Sequence, residues 1–258
     1  MSAFDDLIAI VARLRGEDGC PWDRAQTTSS MRPYLLEETY EVLHAIDRGD
    51  DAELAKELGD LLFQGVMLSR MAEERGAFDI GDVLRGIADK MVERHPHVFD
   101  EGHAVQGDEG EVRSWEARKA AERPDDHSAL DGVPETLPAL LRAHRISEKA
   151  SGAGFDWSEV AGVRAKVDEE LRELDQAIAE QDDQKVGEEF GDLLFTLVNL
   201  GRFLPVGAEE ALRAATAKFE TRFRALERAL AADARSVYHT DPDTLESYWA
   251  AVKEDTCS

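Results

Sequence analysis

The 258-residue chain is strongly acidic, because 55 Asp and Glu residues outnumber 30 Lys and Arg and give a net charge of -25 at pH 7. This charge repels a nucleic-acid backbone and an anionic membrane surface, so neither is an expected partner. The two cysteines, Cys20 and Cys257, provide no disulfide framework and fit a reducing compartment. The acidic amino-terminal segment does not read as a secretory signal, and no apolar run approaches the roughly 18 residues of a membrane span. We therefore expect a cytoplasmic protein.

Apolar residues recur at helical spacing along the chain, and no segment alternates apolar and polar residues like a half-buried strand. In chain order, the predicted helical segments are LIAIVARL (7–14), LLFQGVMLSRM (61–71), VLRGIADKMV (83–92), LPALLRAHRI (137–146), LLFTLVNLGRFL (193–204) and ALRAATAKFETRFRALERAL (211–230). The predicted fold class is all-α.

An internal duplication organises these helices. The heptapeptide ELGDLLF at 57–63 returns as EFGDLLF at 189–195, and a gap-free extension aligns 37–63 with 169–195, where 13 of 27 pairs are identical. Together with the length, this repeat predicts two tandem helical domains, 1–124 and 130–258, called here the first and second copy. The expected join is the proline-containing stretch at 121–138.

Each copy carries two pairs of acids, and the members of a pair are three residues apart, so that each pair lies on one helix face. In an antiparallel hairpin, residues equidistant from the turn lie opposite one another, which places the turn centres at Gly49 and Gln181. Each hairpin is then predicted to bring four carboxylates together: Glu38, Glu41, Glu57 and Asp60 in the first copy, and Glu170, Glu173, Glu189 and Asp192 in the second.

Four adjacent carboxylates repel one another unless some are protonated or a cation neutralises them. All-oxygen ligation suits Mg²⁺, with Mn²⁺ as a substitute. A solvated acidic helix face is the simpler interpretation of a single quartet. Two quartets with the same spacing favour a metal site in each hairpin.

Basic and aromatic residues are repeated as well. Lys218 and Arg222 correspond to Lys90 and Arg94, and Trp249 and Lys253 correspond to Trp115 and Lys119. A Lys and an Arg on one helical face can contact phosphates, and a Trp one turn from a Lys can stack on a nucleobase. Each is weak evidence alone, since surface bases and packed tryptophans are common. Their ordered repetition indicates a metal–phosphate site with an aromatic wall.

Two other metal sites are less favoured. A di-iron carboxylate bundle needs Glu-x-x-His on two helices, but the second copy has Gln176 where the first has His44. A histidine site formed by His95, His97 and His103 has no counterpart in the second copy.

The pattern of EETYE (37–41) with ELGD (57–60), repeated as EELRE (169–173) with EFGD (189–192), resembles the MazG family of nucleoside triphosphate pyrophosphohydrolases. The stretches GCPWD (19–23) and RHPHVFDE (94–101) are similar to that family's amino-terminal domain. The resemblance implies an all-α, usually dimeric enzyme that hydrolyses nucleoside triphosphates to monophosphate and pyrophosphate with Mg²⁺. In this family the carboxyl-terminal copy is the better-attested catalytic one. The resemblance therefore implies metal ligation by Glu170, Glu173, Glu189 and Asp192, and nucleotide contacts by Lys166, Glu169, Lys218, Arg222, Trp249 and Lys253.

The two copies differ beside the acids, where Lys166 and Asn199 of the second correspond to Tyr34 and Met67 of the first. We therefore expect the second copy to hydrolyse, and the first to be slower, regulatory or structural. Glu169, Glu170 and Glu173 all remain candidates for the general base.

Stacking tolerates any base, which predicts broad specificity across ribo- and deoxynucleotides. A narrower dUTP or phosphoribosyl-ATP pyrophosphohydrolase and a non-catalytic nucleotide-binding or dimerisation module are the alternatives. The apolar segment at 193–204 favours a homodimer.

Overall fold

The computed structural model describes residues 2–99 and 128–255, apart from the side chains of His97 and Asp255. Within these ranges the chain forms α-helices, a short 3₁₀ helix at Val237–His239 and no β-strand, so the all-α prediction is confirmed. The chain divides into two compact units, Met1–Val105 and Gln106–Ser258. The predicted join at 121–138 lies largely outside the described residues, and the domain limits 1–124 and 130–258 therefore remain a prediction.

The first unit is built around a helical hairpin. Its helices are α1 (Ala3–Arg15), α2 (Pro21–Ala25), α3 (Arg32–Arg48), α4 (Asp51–Glu73), α5 (Ile80–Arg94) and α6 (Pro96–Phe99). Helix α3 ends at Gly49, whose φ of 63° is accessible to glycine without strain. The Asp50 side chain then caps α4 by accepting a hydrogen bond of 3.1 Å from the backbone N–H of Glu53. Helices α3 and α4 pack together as an antiparallel pair, called here the first hairpin.

The first hairpin rests on α1 through a core that contains Val11, Met67 and Met71. Arg15, at the end of α1, stabilises the packing of α1 against the hairpin. Its guanidinium lies 2.7 Å from a carboxylate oxygen of Glu74 and also donates to the backbone carbonyl of Asp23 at 2.5 Å. One arginine therefore ties α1, α2 and the end of α4 together, which holds the hairpin in place.

The second unit repeats the hairpin between other helices. Its elements are α7 (Ala139–Gly152), α8 (Val160–Glu180), α9 (Asp183–Phe203), α10 (Ala208–Ala232), the 3₁₀ helix and α11 (Pro242–Asp255). Helix α8 ends at Gln181, which adopts a left-handed conformation with φ of 56°. Asp182 caps α9 by accepting from the backbone N–H of Lys185 at 3.1 Å. Helices α8 and α9 form the second hairpin, and both turn centres predicted from the sequence are confirmed.

The second hairpin packs on α7, whereas α10 packs on α11 through a cluster of Leu226, Leu230 and Val252. Arg202 at the end of α9 plays a part similar to that of Arg15, since its guanidinium lies 2.5 Å from the carboxylate of Asp156, which precedes α8. Among the described residues, no helix is both long enough and apolar enough to cross a membrane.

Candidate metal centre and nucleotide-contact residues

The first hairpin brings three of its four predicted acids together. Glu38 and Glu41 of α3 and Glu57 of α4 each offer a carboxylate oxygen within 4.8 Å of the other two. These residues are called here the first cluster. Asp60 does not belong to this group and is exposed.

The second hairpin repeats the arrangement with Glu170 and Glu173 of α8 and Glu189 of α9, again with oxygens within 4.8 Å of one another. These residues are the second cluster. Glu170 here and Glu57 in the first cluster are each only 4% exposed, so each cluster reaches into its hairpin. Asp192 lies outside the group, but its charge contributes to raising the pKa of Glu189.

The fourth acid of each copy is therefore on the expected helix face without joining the other three. An aspartate carboxylate lies one methylene closer to the backbone than a glutamate carboxylate, and this shorter reach accounts for the difference. The equidistance rule predicts which residues are opposite, but it does not predict how far their side chains extend. The ligand roles of Asp60 and Asp192, like those of the six glutamates, remain predictions.

The clustered carboxyls perturb one another. Partial desolvation, followed by the charges of Glu173 and Glu170, raises the pKa of Glu189 above its ordinary value of 4.5. In the first cluster the pKa of Glu41 is raised by desolvation and then by Glu57 and Glu38. Crowding of this kind is relieved by a bound cation or by protonation. Both clusters thus have the electrostatic character of a cation site.

A lysine contacts each cluster, but the two lysines belong to different helices of their hairpins. In the second hairpin Lys166 of α8 lies 2.7 Å from Glu170 and 2.6 Å from Glu169. The hydrogen bond from Lys166 lowers the pKa of Glu169. In the first hairpin the lysine is Lys56 of α4, which lies 2.8 Å from Glu57 and lowers its pKa.

Sequence reasoning found Lys166 but missed two residues of the first hairpin. Lys56 directly precedes Glu57, so its adjacency to a candidate ligand was a usable signal. Gln64 follows Glu57 by two helical turns on the same face, and its side-chain amide donates to Glu38 at 3.3 Å. Gln64 is 5% exposed, which the sequence alone did not indicate.

Asn199, which distinguishes the second copy, is buried within its hairpin. Its amide nitrogen donates to the carbonyl of Phe195 at 3.1 Å, and its oxygen accepts from Arg202 at 2.8 Å. Arg202 in turn binds Asp156. The equivalent Met67 belongs to the apolar core of the first unit.

The remaining predicted nucleotide contacts lie on α10 and α11. Lys218 and Arg222 belong to α10, and Trp249 and Lys253 to α11. The Trp249 ring lies 5.4 Å from the ring of Phe219, with an interplanar angle of 53°. It is half-buried against the α10–α11 core, so part of its surface serves packing. Nucleotide contact by these residues remains a prediction, and their counterparts Trp115 and Lys119 lie outside the described residues.

These features define a class: an all-α protein whose two hairpins each carry a carboxylate cluster suited to a divalent cation. Residues 26–99 and 159–226 match the MazG nucleotide pyrophosphohydrolase domain. The chain belongs to the MazG family, and both matched segments contain one complete cluster.

Several relatives are similar over nearly the whole chain. The chain is 47% identical over 260 residues to the nucleoside triphosphate pyrophosphohydrolase of Escherichia coli K12, covering 98% of each protein. It is 43% identical over 251 residues to the nucleoside triphosphate pyrophosphohydrolase/pyrophosphatase MazG of Thermotoga maritima, covering 97% of this chain and 95% of the relative. A nucleoside triphosphate pyrophosphohydrolase of Mycobacterium tuberculosis is 38% identical over 152 residues, which is 58% of this chain and 45% of the relative.

Proposed function

We propose that this chain is a metal-dependent nucleoside triphosphate pyrophosphohydrolase that acts from its second hairpin. It converts ribo- and deoxynucleoside triphosphates to the monophosphate and pyrophosphate, in a role that clears the nucleotide pool. The observation that carries the proposal is the second cluster with Lys166 beside it, because carboxylates able to hold a cation then lie next to an ammonium able to contact phosphate. Family membership and the two full-length relatives support the reaction.

The donor set of the second cluster fits a hard divalent cation. Three carboxylates whose oxygens lie within 4.8 Å, one of them with a raised pKa, are the ligand type that Mg²⁺ and Mn²⁺ take. Glu170, Glu173 and Glu189 would hold this cation, with Asp192 as a further ligand. When bound, it supplies charge neutralisation at the phosphates and lowers the pKa of a coordinated water.

Lys166 and Glu169 prepare the site for substrate. Lys166 is shared between Glu169 and Glu170, so its ammonium can exchange one carboxylate for a phosphate oxygen. Once Lys166 has turned to phosphate, Glu169 loses the hydrogen bond that lowers its pKa and becomes a stronger base. Because Glu169 lies outside the cluster, we assign it the proton of the attacking water and leave Glu170 and Glu173 as ligands.

The residues on α10 and α11 complete the site. Lys218, Arg222 and Lys253 neutralise phosphate oxygens, and Trp249 stacks on the base with the part of its ring that core packing leaves exposed. Stacking does not read the hydrogen-bonding edge of a base. Broad specificity across purines and pyrimidines follows.

The same proposal includes a homodimer. Large apolar side chains of the second hairpin are exposed in the single chain, and their contiguity on two helices favours burial against a second copy. They include Leu171, Ile178, Phe190, Leu194 and Leu197, each 39–55% exposed. The net charge of -25 supports a protein that binds neither nucleic-acid polymers nor anionic membranes. Since the substrates are made and used in the cytoplasm, the proposal places the enzyme there.

The test is release of pyrophosphate and nucleoside monophosphate from each common NTP and dNTP with Mg²⁺. We expect equal amounts of the two products, and a loss of about 100-fold or more in Glu189→Gln, because a cation ligand is removed. Glu57→Gln makes the same change at the equivalent position of the first hairpin, and we expect it to reduce turnover far less.

Three outcomes would contradict the proposal. Release of orthophosphate and nucleoside diphosphate would reject the reaction. Nucleotide binding without turnover would favour a nucleotide-binding module. An equal loss in Glu57→Gln and Glu189→Gln would reject the assignment of turnover to the second hairpin.

A further inference from the structure

Most of the predicted phosphate and base contacts of the second copy lie on one structural element. Helices α10 and α11 are joined by the apolar cluster that contains Leu226, Leu230 and Val252. The ring of Trp249 on α11 also lies 5.4 Å from the ring of Phe219 on α10. These two helices, called here the arm, carry four predicted contact residues: Lys218, Arg222, Trp249 and Lys253.

The arm departs from the hairpin of its own chain. Glu189 lies about 21 Å before the end of α9, and Lys218 about 15 Å after the start of α10, at a helical rise of about 1.5 Å per residue. Helix segments of this length remain adjacent only where the helices pack side by side, as α8 and α9 do. Helix α10 instead packs on α11 and α7, and has only a small contact with α9, to which the turn at 204–207 joins it. Lys218 therefore lies away from the second cluster of its own chain.

The ion pairs agree with this separation. The base at Glu169 and Glu170 is Lys166, which belongs to the same helix as both acids. Lys253 of the arm lies 3.8 Å from Glu246, which is on its own helix α11. The second cluster and the arm are thus two parts of one predicted site that a single chain does not bring together.

The surfaces of the second hairpin and the arm suit one another across a dimer. Leu212 and Phe219 lie on one face of α10 and are 57% and 55% exposed. The hairpin exposes apolar side chains of its own, including Phe190 and Leu194. The hairpin at 160–203 contains eleven acids and five bases, whereas α10 contains five bases and four acids. An acidic hairpin attracts such a helix, in a protein whose net charge of -25 otherwise opposes association.

We propose that the second site is shared between the two subunits of the dimer, because the arm of one protomer covers the second hairpin of its partner. Each site then combines the second cluster and Lys166 of one subunit with Lys218, Arg222, Trp249 and Lys253 of the other. This inference rests on the proposed function and its homodimer. It adds that a lone subunit holds the cation ligands without most of the groups that contact phosphate and base, so hydrolysis requires two subunits.

Complementation between two inactive variants tests the sharing. The hairpin variant carries Glu173→Gln and Glu189→Gln, and the arm variant carries Lys218→Met and Arg222→Met. The two full-length chains are co-expressed with different affinity tags, so that successive purification on both tags isolates the heterodimer. Pyrophosphate release from a nucleoside triphosphate is then measured for the wild type, the two variant homodimers and the heterodimer.

A shared site predicts that the heterodimer recovers activity. One of its two sites combines the intact cluster of the arm variant with the intact arm of the hairpin variant, so we expect about half of the wild-type turnover per dimer. Each variant homodimer should have less than about a tenth of wild-type turnover, because neither contains an intact site.

The matched control pairs the hairpin variant with Lys166→Met, which changes the same hairpin. No site of this heterodimer is intact, whichever subunit supplies the arm. We therefore expect it to show no more turnover than the Lys166→Met homodimer.

A binding measurement separates this inference from the proposed reaction. The probe is an ATP analogue with a methylene group between the α and β phosphorus atoms, titrated calorimetrically with Mg²⁺. The heterodimer of the hairpin and arm variants should bind one equivalent per dimer with the wild-type dissociation constant. A wild type that binds the analogue but releases no pyrophosphate from ATP would reject the reaction, and this binding would still decide the sharing.

Several results would overturn the inference. One is an active wild type whose heterodimer is no more active than the variant homodimers, which would leave the reaction intact and place each site within one subunit. Another is an active wild type that is monomeric by light scattering. A wild type that neither turns over ATP nor binds the analogue would reject the inference together with the proposed function. If the arm variant does not fold, Lys218→Glu, at an exposed side chain, replaces it with the same expectations.

Discussion

The two hairpins contain the same three glutamates in the same arrangement, yet their surroundings differ. Beside the second cluster lie Lys166 and the polar side chain of Asn199, which Arg202 holds in place. At the equivalent positions of the first hairpin, Tyr34 and Met67 pack against its apolar core. A duplicated cluster of acids thus defines where a cation can bind, and the neighbouring layer of side chains decides what else the site can recognise.

The lysines show the same division on a finer scale. Lys56 belongs to the second helix of its hairpin and Lys166 to the first helix of its own. The carboxyl whose pKa is raised, chiefly by desolvation, lies in each cluster on the helix opposite Lys56 or Lys166, as Glu41 on α3 and as Glu189 on α9, where the charge of Lys185 offsets only part of the rise. Two clusters with the same three glutamates can therefore have their lysine on different helices of the hairpin. A ligand that enters the two sites in the same way then meets the lysine from different directions.

Among substitutions that leave both carboxylate clusters intact, we expect the largest difference between the two hairpins at their lysines. Lys166→Met should lower kcat/KM for a nucleoside triphosphate by about 10- to 100-fold, because a charge-assisted contact to phosphate is lost. Lys56→Met removes the lysine of the first cluster and should change kcat/KM by less than about threefold. Steady-state pyrophosphate release from both variants provides the measurement. Equal losses would mean that the two lysines have equivalent roles.

The ion pairs of Arg15 with Glu74 and of Arg202 with Asp156 allow the two units to be destabilised separately. Arg15→Met removes a donor to the carbonyl of Asp23 and leaves Glu74 with Arg70 as its arginine partner, and should destabilise the first unit by about 1–3 kcal/mol. Arg202→Met should act by a similar amount on the second unit. Hydrogen exchange of the backbone amides of α4 and α9 reports on each unit in turn. Loss of protection in both helices from a single substitution would show that each arginine stabilises more than its own unit.

A pH titration sharpens the comparison at Glu74. Hydrogen bonding by Arg15 lowers the pKa of Glu74 below its ordinary value of 4.5. The stabilisation is therefore present above the unfolded pKa and disappears as the pH falls through the lower folded value. Urea unfolding of the wild type and Glu74→Gln should show a difference of about 1 kcal/mol at pH 7 that shrinks below pH 4.5. A difference that grows in acid would contradict the sign of this pKa shift.

The smallest expected effect exchanges the residues at the turns. Gln181 and Gly49 have nearly the same left-handed φ, of 56° and 63°. Gln181→Gly should stabilise the second unit by up to about 1 kcal/mol, because the side chain is strained in this region. Gly49→Gln should destabilise the first unit by a similar amount, since an added Cβ would meet nothing within 4 Å and only the backbone is affected. Chemical denaturation of both variants tests whether the turns are interchangeable.

Sequence reasoning succeeded where a regular period controls the outcome. Helical spacing predicted the all-α fold, the repeat revealed two copies of one hairpin, and equidistant acids located the turns at Gly49 and Gln181. The pairing of Glu41 with Glu57 and of Glu173 with Glu189 followed from the same rule. These features depend on backbone geometry, which 3.6 residues per turn largely determines.

Only the tertiary structure decided how far side chains extend, which partners they contact and which of them are buried. It left Asp60 and Asp192 outside the clusters, brought Lys56 to Glu57 and enclosed the amide of Gln64 beside Glu38. Periodicity assigns a residue to a helix face, whereas the depth, direction and partner of its side chain depend on the helices packed against that face. For this protein, the sequence by itself determined the two carboxylate hairpins, and packing determined how the surroundings of one differ from those of the other.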